Sequence, residues 1–273
     1  MTTQSDIIQT LQVQSTIDVN HEIRKRIDFL KSYVKHTGLN GFVLGISGGQ
    51  DSTLAGKLVQ LAVDELNEEN SKTYTFIAMR LPYGVQLDED DAQDCLDYIS
   101  PEQRVTVNIK PAVDASYEQF SKATNETMSD FVKGNTKARE RMKAQYDVAA
   151  HYNCLVVGTD HAAEAVTGFY TKFGDGACDI APLFGLNKRQ GKLLLKVLGC
   201  PEPMYQKVPT ADLEDDQPLL PDEEALGFTY DQIDDFLEGK SIAEDVAEKL
   251  TKRYKMCEHK RQMPVTVYDH WWK

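Results

Sequence analysis

The stretch Phe42-Val43-Leu44-Gly45-Ile46-Ser47-Gly48-Gly49-Gln50-Asp51-Ser52 decides how the chain folds. Five residues of strand length, bounded by Gly41, run into a small-residue loop, and Leu54, Leu58, Leu61, Ala62 and Leu66 then repeat at helical spacing. A strand, a glycine turn and a helix starting near Ser52 leave several backbone N–H groups free. They lie at the positive end of a helix dipole, which is an anion site. Gly48 and Gly49 let the backbone approach an anion closely, and Ser47 and Ser52 add hydroxyl donors. Asp51 would repel phosphates unless a cation lies between, and magnesium suits carboxylates shared with phosphate oxygens. The loop is not Gly-x-x-x-x-Gly-Lys-Ser/Thr, because Gly56-Lys57 precedes Leu58 and Gly191-Lys192 precedes Leu193. The Gly-x-Gly-x-x-Gly dinucleotide fingerprint is also missing.

Outward from this loop the chain alternates. Helical stripes at Ile7, Ile8 and Leu11 and at Ile23, Ile27, Leu30 and Val34 come first, closed by Gly38, so residues 1–38 read as N-terminal helices. Tyr74–Met79, Arg104–Ile109 and Cys154–Val157 read as further strands. Between them Asp88–Ile99, Val113–Ala123 and Lys137–His151 read as helices. This pattern predicts an α/β fold: a doubly wound, mostly parallel sheet with helices on both faces. Ligands in such sheets sit beyond the carboxyl ends of the strands, here the loops after Ile46, Met79 and Val157. Cys200–Pro221 has five prolines, the acidic run Glu214-Asp215-Asp216 and no clear period, so residues 200–221 are expected to form a mobile loop. From Asp222 the chain reads as helical again, with Ile242, Val246 and Leu250 on one face.

The 273 residues, 41% hydrophobic and 27% charged, suit one globular domain spanning 1–273. A formal charge of −13 argues against a nucleic-acid binder, which needs a basic footprint, but leaves room for local phosphate compensation. Cys95, Cys154, Cys178, Cys200 and Cys257 are scattered, with no Cys-x-x-Cys pair, and read as reduced side chains. No apolar run is long enough to span a bilayer and the N-terminus lacks the parts of a signal peptide, so no membrane partner and a cytoplasmic location are expected.

Ser47-Gly48-Gly49-Gln50-Asp51-Ser52 resembles the Ser-Gly-Gly-x-Asp-Ser hallmark of the ATP pyrophosphatases, whose members split ATP between its α and β phosphates. The run Gly158-Thr159-Asp160-His161-Ala162-Ala163-Glu164 through Leu183 narrows the choice. It resembles the ammonia-dependent NAD synthetases, and the likeness extends from about Asn20 to His259-Lys260. The resemblance implies an adenine nucleotide alpha-hydrolase-like fold. The activity it implies is amidation of deamido-NAD by ammonia, with ATP converted to AMP and pyrophosphate through an adenylated intermediate, the last step of NAD biosynthesis. It implies ATP contacts at Gly45, Ile46, Ser47, Gly48, Gly49, Gln50, Asp51, Ser52, Arg80, Thr159, Lys188 and Thr210. Magnesium would lie on Asp51 and Glu164, and deamido-NAD on Arg139, Lys172, Asp179, His259 and Lys260. Asp51 and Lys188 would act in catalysis, with Asp175 steering ammonia or taking its proton.

The resemblance further implies a homodimer with deamido-NAD at the interface, for which the apolar helices before Gly38 are available. Relatives that draw ammonia from glutamine carry an additional amidase domain, for which this chain has no room, so free ammonia or a separate donor is expected. His161 reads as a helix-start or packing residue, Asp88-Glu89-Asp90-Asp91 as a first-turn acidic cap, and Trp271 and Trp272 as docking the tail.

Overall fold

The computed structural model describes residues 2–69, 72–85, 89–211 and 220–272. Its centre is a parallel sheet of β1 (Gly41–Gly45), β2 (Thr75–Arg80), β3 (Gln103–Thr106) and β4 (Leu155–Val156), in the order β3-β2-β1-β4. Phe42 lies opposite both Phe76 and Leu155, which sets the register. Side chains alternate across the strands. Phe42, Leu44, Phe76 and Ala78 enter one core, while Val43, Ile77 and Met79 enter the other. The apolar runs are continuous because both faces are covered.

Helices Val19–Thr37, Gln50–Glu69 and Lys188–Val197 pack on the first face. Helices Lys110–Thr124 and Asp130–Tyr152 serve the second. Phe42 and Phe76 are fully buried, and each such side chain stabilises the fold by about 1.5–3 kcal/mol. Helices Gln4–Thr10, Ala162–Thr167, Tyr230–Leu237 and Glu244–Met256 enclose a third cluster around Phe236 and Val166.

The topology positions the site. From β1 the chain steps outward to β2 and β3, then returns across the sheet to place β4 on the other side of β1. The order reverses between β1 and β4, so the loops leaving their carboxyl ends diverge and open a crevice. The loop Ser47–Ser52 leaves β1, and the segment from Gly158 follows β4.

Several expectations shift. Helix Gln50–Glu69 starts before Ser52, so Gln50 and Asp51 lie in its first turn. Regular pairing in β3 stops at Thr106, although the Val107 and Ile109 N–H groups still donate to Arg80 O and Pro82 O at 2.9 Å each. Cys200–Pro221 is less irregular than its composition suggests. It contains helix Glu202–Gln206 and an antiparallel ladder of β5 (Thr210–Ala211) with β6 (Leu220–Pro221). Residues 212–219, the centre of the expected mobile loop, lie outside the described residues, as does Asp88.

The N-terminal apolar residues are used inside this chain. Ile7 and Leu11 belong to the third cluster, and Ile27, Leu30 and Val34 to the first. These stripes are therefore already covered within the chain. The outward face of helix Val19–Thr37 instead carries Phe29 and Tyr33, stacked at 6.5 Å and part-exposed. Trp271 and Trp272 stay 39% and 58% exposed, less docked than expected.

Candidate active site

The crevice is a cavity of about 620 Å³. Its floor is the Ser47–Ser52 loop. Gly48 has φ 83°, and a Cβ there would stand 3.0 Å from Ala92 N, so only glycine fits both the turn and the close packing. Ser47 Oγ lies 3.0 Å from Ser52 Oγ and accepts the Gly49 N–H at 3.2 Å. These bonds hold the loop curled with its hydroxyls together. Gln50 is spoken for elsewhere, donating from Nε2 to Lys188 O at 3.0 Å. Arg80, almost wholly buried, donates to Ile46 O at 2.6 Å and pairs with Glu89 at 2.7 Å. Glu89 thus does more than cap its helix.

Lys188 reaches the cavity because its helix begins there. Asn187 caps that helix in a capping box with Gln190, and the Asp234 carboxylate accepts the N–H groups of Lys188 and Arg189 at 3.1 and 2.7 Å. The ammonium then lies 2.7 Å from Asp51 Oδ2 and 5.0 Å from the centre of the Tyr230 ring. Burial opposes charge on both groups. The attraction of Lys188, with help from His161, outweighs it and holds the Asp51 carboxyl well below its ordinary range.

Helix Ala162–Thr167 brings in Glu164. Its N-cap is His161, in agreement with the helix-start reading, but the ring does more. Nδ1 accepts the Glu164 N–H at 3.4 Å, which leaves the ring proton on Nε2. That nitrogen is buried without a hydrogen-bond partner, 3.4 Å from Asp51 Oδ1 and 3.8 Å from Glu164 Oε1. Donor atoms of Asp51, His161 and Glu164 all lie within 4.8 Å of one another. Burial, then the charges of Asp51 and Asp160, push Glu164 well above the usual carboxylate range. Two carboxylates that cannot both ionise comfortably form a site short of positive charge, and their oxygens suit a hard divalent cation. A protonated Nε2 suits His161 to orient the carboxylates, not to ligate.

Asp160 is pushed up to about 7 by burial and then by the Asp175 carboxylate. Asp175 lines the cavity and accepts the Thr171 N–H at 2.9 Å. Gly45, Ile46, Thr159 and Lys260 also line it. Lys260 places its ammonium on the Gly168 and Tyr170 carbonyls at 2.8 and 2.6 Å.

Other expected residues stay apart. Arg139, Lys172, Asp179 and His259 do not line the cavity. The Asp179 carboxylate finishes β4, accepting the Val156 N–H at 2.8 Å and the Tyr146 hydroxyl at 3.2 Å. Lys172 is bonded to the His259 carbonyl, and Arg139 is exposed. Thr210 is placed in β5, but its side chain lies outside the described residues.

Sequence reading missed Asp222. It lines the cavity with Oδ2 accepting the Tyr230 hydroxyl at 2.8 Å, while its buried Oδ1 has no partner. An acid after a proline carries no local signal of such a place.

The family model for NAD synthase matches residues 22–264. The chain belongs to the NAD synthase family. Within that family, an NH(3)-dependent NAD(+) synthetase of Halalkalibacterium halodurans is 66% identical over 271 residues, covering 99% of this chain and 100% of the relative. Among solved NAD synthetases, that of Burkholderia pseudomallei superposes with a TM-score of 0.83 at 46% identity and 96% coverage of both chains. An NMN synthetase of Francisella tularensis gives 0.80 at 33% identity, covering 93% of this chain and 100% of that one. As a NAD synthase family member the chain is a ligase of the adenine nucleotide alpha-hydrolase-like fold.

Proposed function

We propose that the cavity binds ATP, magnesium and deamido-NAD, and that the chain amidates deamido-NAD with ammonia to give NAD, AMP and pyrophosphate. One observation carries the reading: the phosphate loop, Asp51, Glu164, Lys188 and Asp175 all line a single cavity although they come from distant parts of the chain. In this reading Ser47, Ser52 and the N–H groups of the loop hold the phosphates, and Arg80 and Thr159 hold the nucleoside. The resemblance adds Thr210 to the same ATP set.

A nicotinate carboxylate repels nucleophiles and has no good leaving group. One of its oxygens attacks the α phosphorus of ATP and pyrophosphate departs, leaving an acyl-adenylate. Lys188, released from Asp51, stabilises the charge growing on the phosphates. Asp51 and Glu164 would hold magnesium, which when bound neutralises phosphate charge. Ammonia then attacks the acyl carbon, AMP leaves with the transferred oxygen, and Asp175 accepts a proton from the ammonium formed. Water must be kept out until ammonia arrives.

Arg139, Lys172, Asp179 and His259 lie outside the cavity, which supports a dinucleotide extending beyond it onto a second subunit. The exposed Phe29–Tyr33 stack offers apolar surface for such a homodimer. No helix among the described residues is long and apolar enough to cross a membrane, and all five cysteines are free, which supports a place in the cytoplasm. The test is incubation with ATP, magnesium, ammonium and deamido-NAD. NAD, AMP and pyrophosphate should appear one for one, and ADP with phosphate would refute the reading.

A further inference from the structure

The cations lining the cavity can be matched with their partners, Arg141 donating to Leu81 O at 3.0 Å. Arg80 pairs with Glu89, Lys188 with Asp51 and Lys207 with Asp91, each at 2.7 Å. Lys260 rests on two carbonyls. Arg253 is different. Its Nε donates to Thr167 O at 2.8 Å, and among the described residues its two terminal nitrogens have neither a hydrogen-bond acceptor nor a carboxylate at ion-pair distance. With 43 acidic residues against 30 basic ones, acids are in excess, so a cavity arginine without one is not explained by shortage.

Its placement gives a reason. Helix Glu244–Met256 packs against helix Ala162–Thr167, which carries Glu164. The bond from Nε to the last carbonyl of the shorter helix, Thr167 O, fixes the plane of the half-buried guanidinium. A guanidinium anchored through Nε still presents two parallel N–H donors, the geometry that matches two oxygens of a phosphate. Arg253 lines the same cavity as Glu164 and Asp222, and its charge acts on the Lys260 ammonium.

We propose that Arg253 is an anion-binding residue of this site, its Nη1 and Nη2 holding phosphate oxygens of a bound substrate. The inference rests on the reading given above. It supplies a phosphate contact that neither the loop pattern nor the resemblance assigns, and its source is either ATP or the dinucleotide.

The experiment compares wild type, Arg253→Ala and Arg253→Lys. KM for ATP and KM for deamido-NAD are measured separately, beside kcat and the melting temperature. Arg253→Ala should raise at least one KM about tenfold or more, the size of one charge-assisted hydrogen bond. Arg253→Lys should fall between, keeping charge but losing the fork. Added guanidinium ion should restore the lost affinity of Arg253→Ala, which a purely structural clamp on Thr167 would not allow. A raised KM for ATP assigns the contact to its phosphates, and a raised KM for deamido-NAD assigns it to that diphosphate. Both KM values unchanged would overturn the proposal, as would a lowered melting temperature with activity that guanidinium does not restore. Wild-type turnover tests the functional reading by itself. If wild type makes no NAD, the same comparison is made as calorimetric Kd values for ATP and deamido-NAD.

Discussion

Lys188 and Asp51 stand 137 positions apart in sequence, yet the ammonium and the carboxylate meet at 2.7 Å over the phosphate loop. The ion pair stores the two opposite charges the reaction needs and keeps each from being buried alone. Phosphates with a divalent cation would replace both partners at once, the cation taking Asp51 and the phosphates Lys188. In the proposed reading the pair marks the place a metal–polyphosphate ligand would take.

Asp51→Asn and Glu164→Gln should each lower turnover at least ~100-fold, because each removes a proposed metal ligand and the metal contributes several kcal/mol of charge stabilisation. Steady-state rates at ordinary magnesium concentrations check this. A near-normal rate in either variant would make that residue a bystander.

Glu164 also links the metal to pH. Its carboxyl is held well above the usual range by burial, Asp51 and Asp160, so it keeps its proton to higher pH than an ordinary glutamate, and a cation at the proposed site would expel it. Magnesium should therefore bind more tightly as pH rises, with protons released on binding. Calorimetry in buffers of different ionisation enthalpy reads that release directly. Glu164→Gln should weaken binding and remove most of the proton release; an unchanged release would place the proton elsewhere.

Much of the fold was readable because its signals are local. The Phe42–Ile46 strand, the two glycines of the loop and the heptad-like stripe after Leu54 lie within one stretch of chain, so they read as a strand–turn–helix unit. Strands with both faces buried read as apolar runs, and three of the helices were placed to within a few residues. The pairing of Asp51 with Lys188 and the approach of His161 Nε2 to both carboxylates depend on how the chain returns across the sheet to β4. No local pattern announces that. The orphan oxygen of Asp222 is equally silent, since an acid in the run Asp222-Glu223-Glu224 looks like solvated surface. Asp179, which the resemblance assigns to a ligand, also closes the end of β4 through its carboxylate, a bond no local pattern announces.

Asp160 makes a stability prediction of definite sign. Burial and Asp175 raise its pKa from 3.8 to about 7, so the folded chain holds this proton more tightly than the unfolded one. The resulting stabilisation is complete below the unfolded value and is lost as pH rises towards the folded one, from about pH 4 to about pH 7. Asp160→Asn stays neutral throughout. Its melting temperature should gain on wild type across that interval and level off above it. A difference between the two proteins that does not change with pH would show that Asp160 is not perturbed.

The central claim is that the acceptor carboxylate is joined to AMP before ammonia attacks. Deamido-NAD carrying ¹⁸O in its nicotinate carboxylate, turned over with ATP, magnesium and ammonium, tests it most directly by mass spectrometry of the AMP. Transfer of one labelled oxygen to the AMP phosphate is the predicted result, because that oxygen bridges carbon and phosphorus in the adenylate and leaves with phosphorus. Unlabelled AMP, with NAD formed at the same rate, would contradict it.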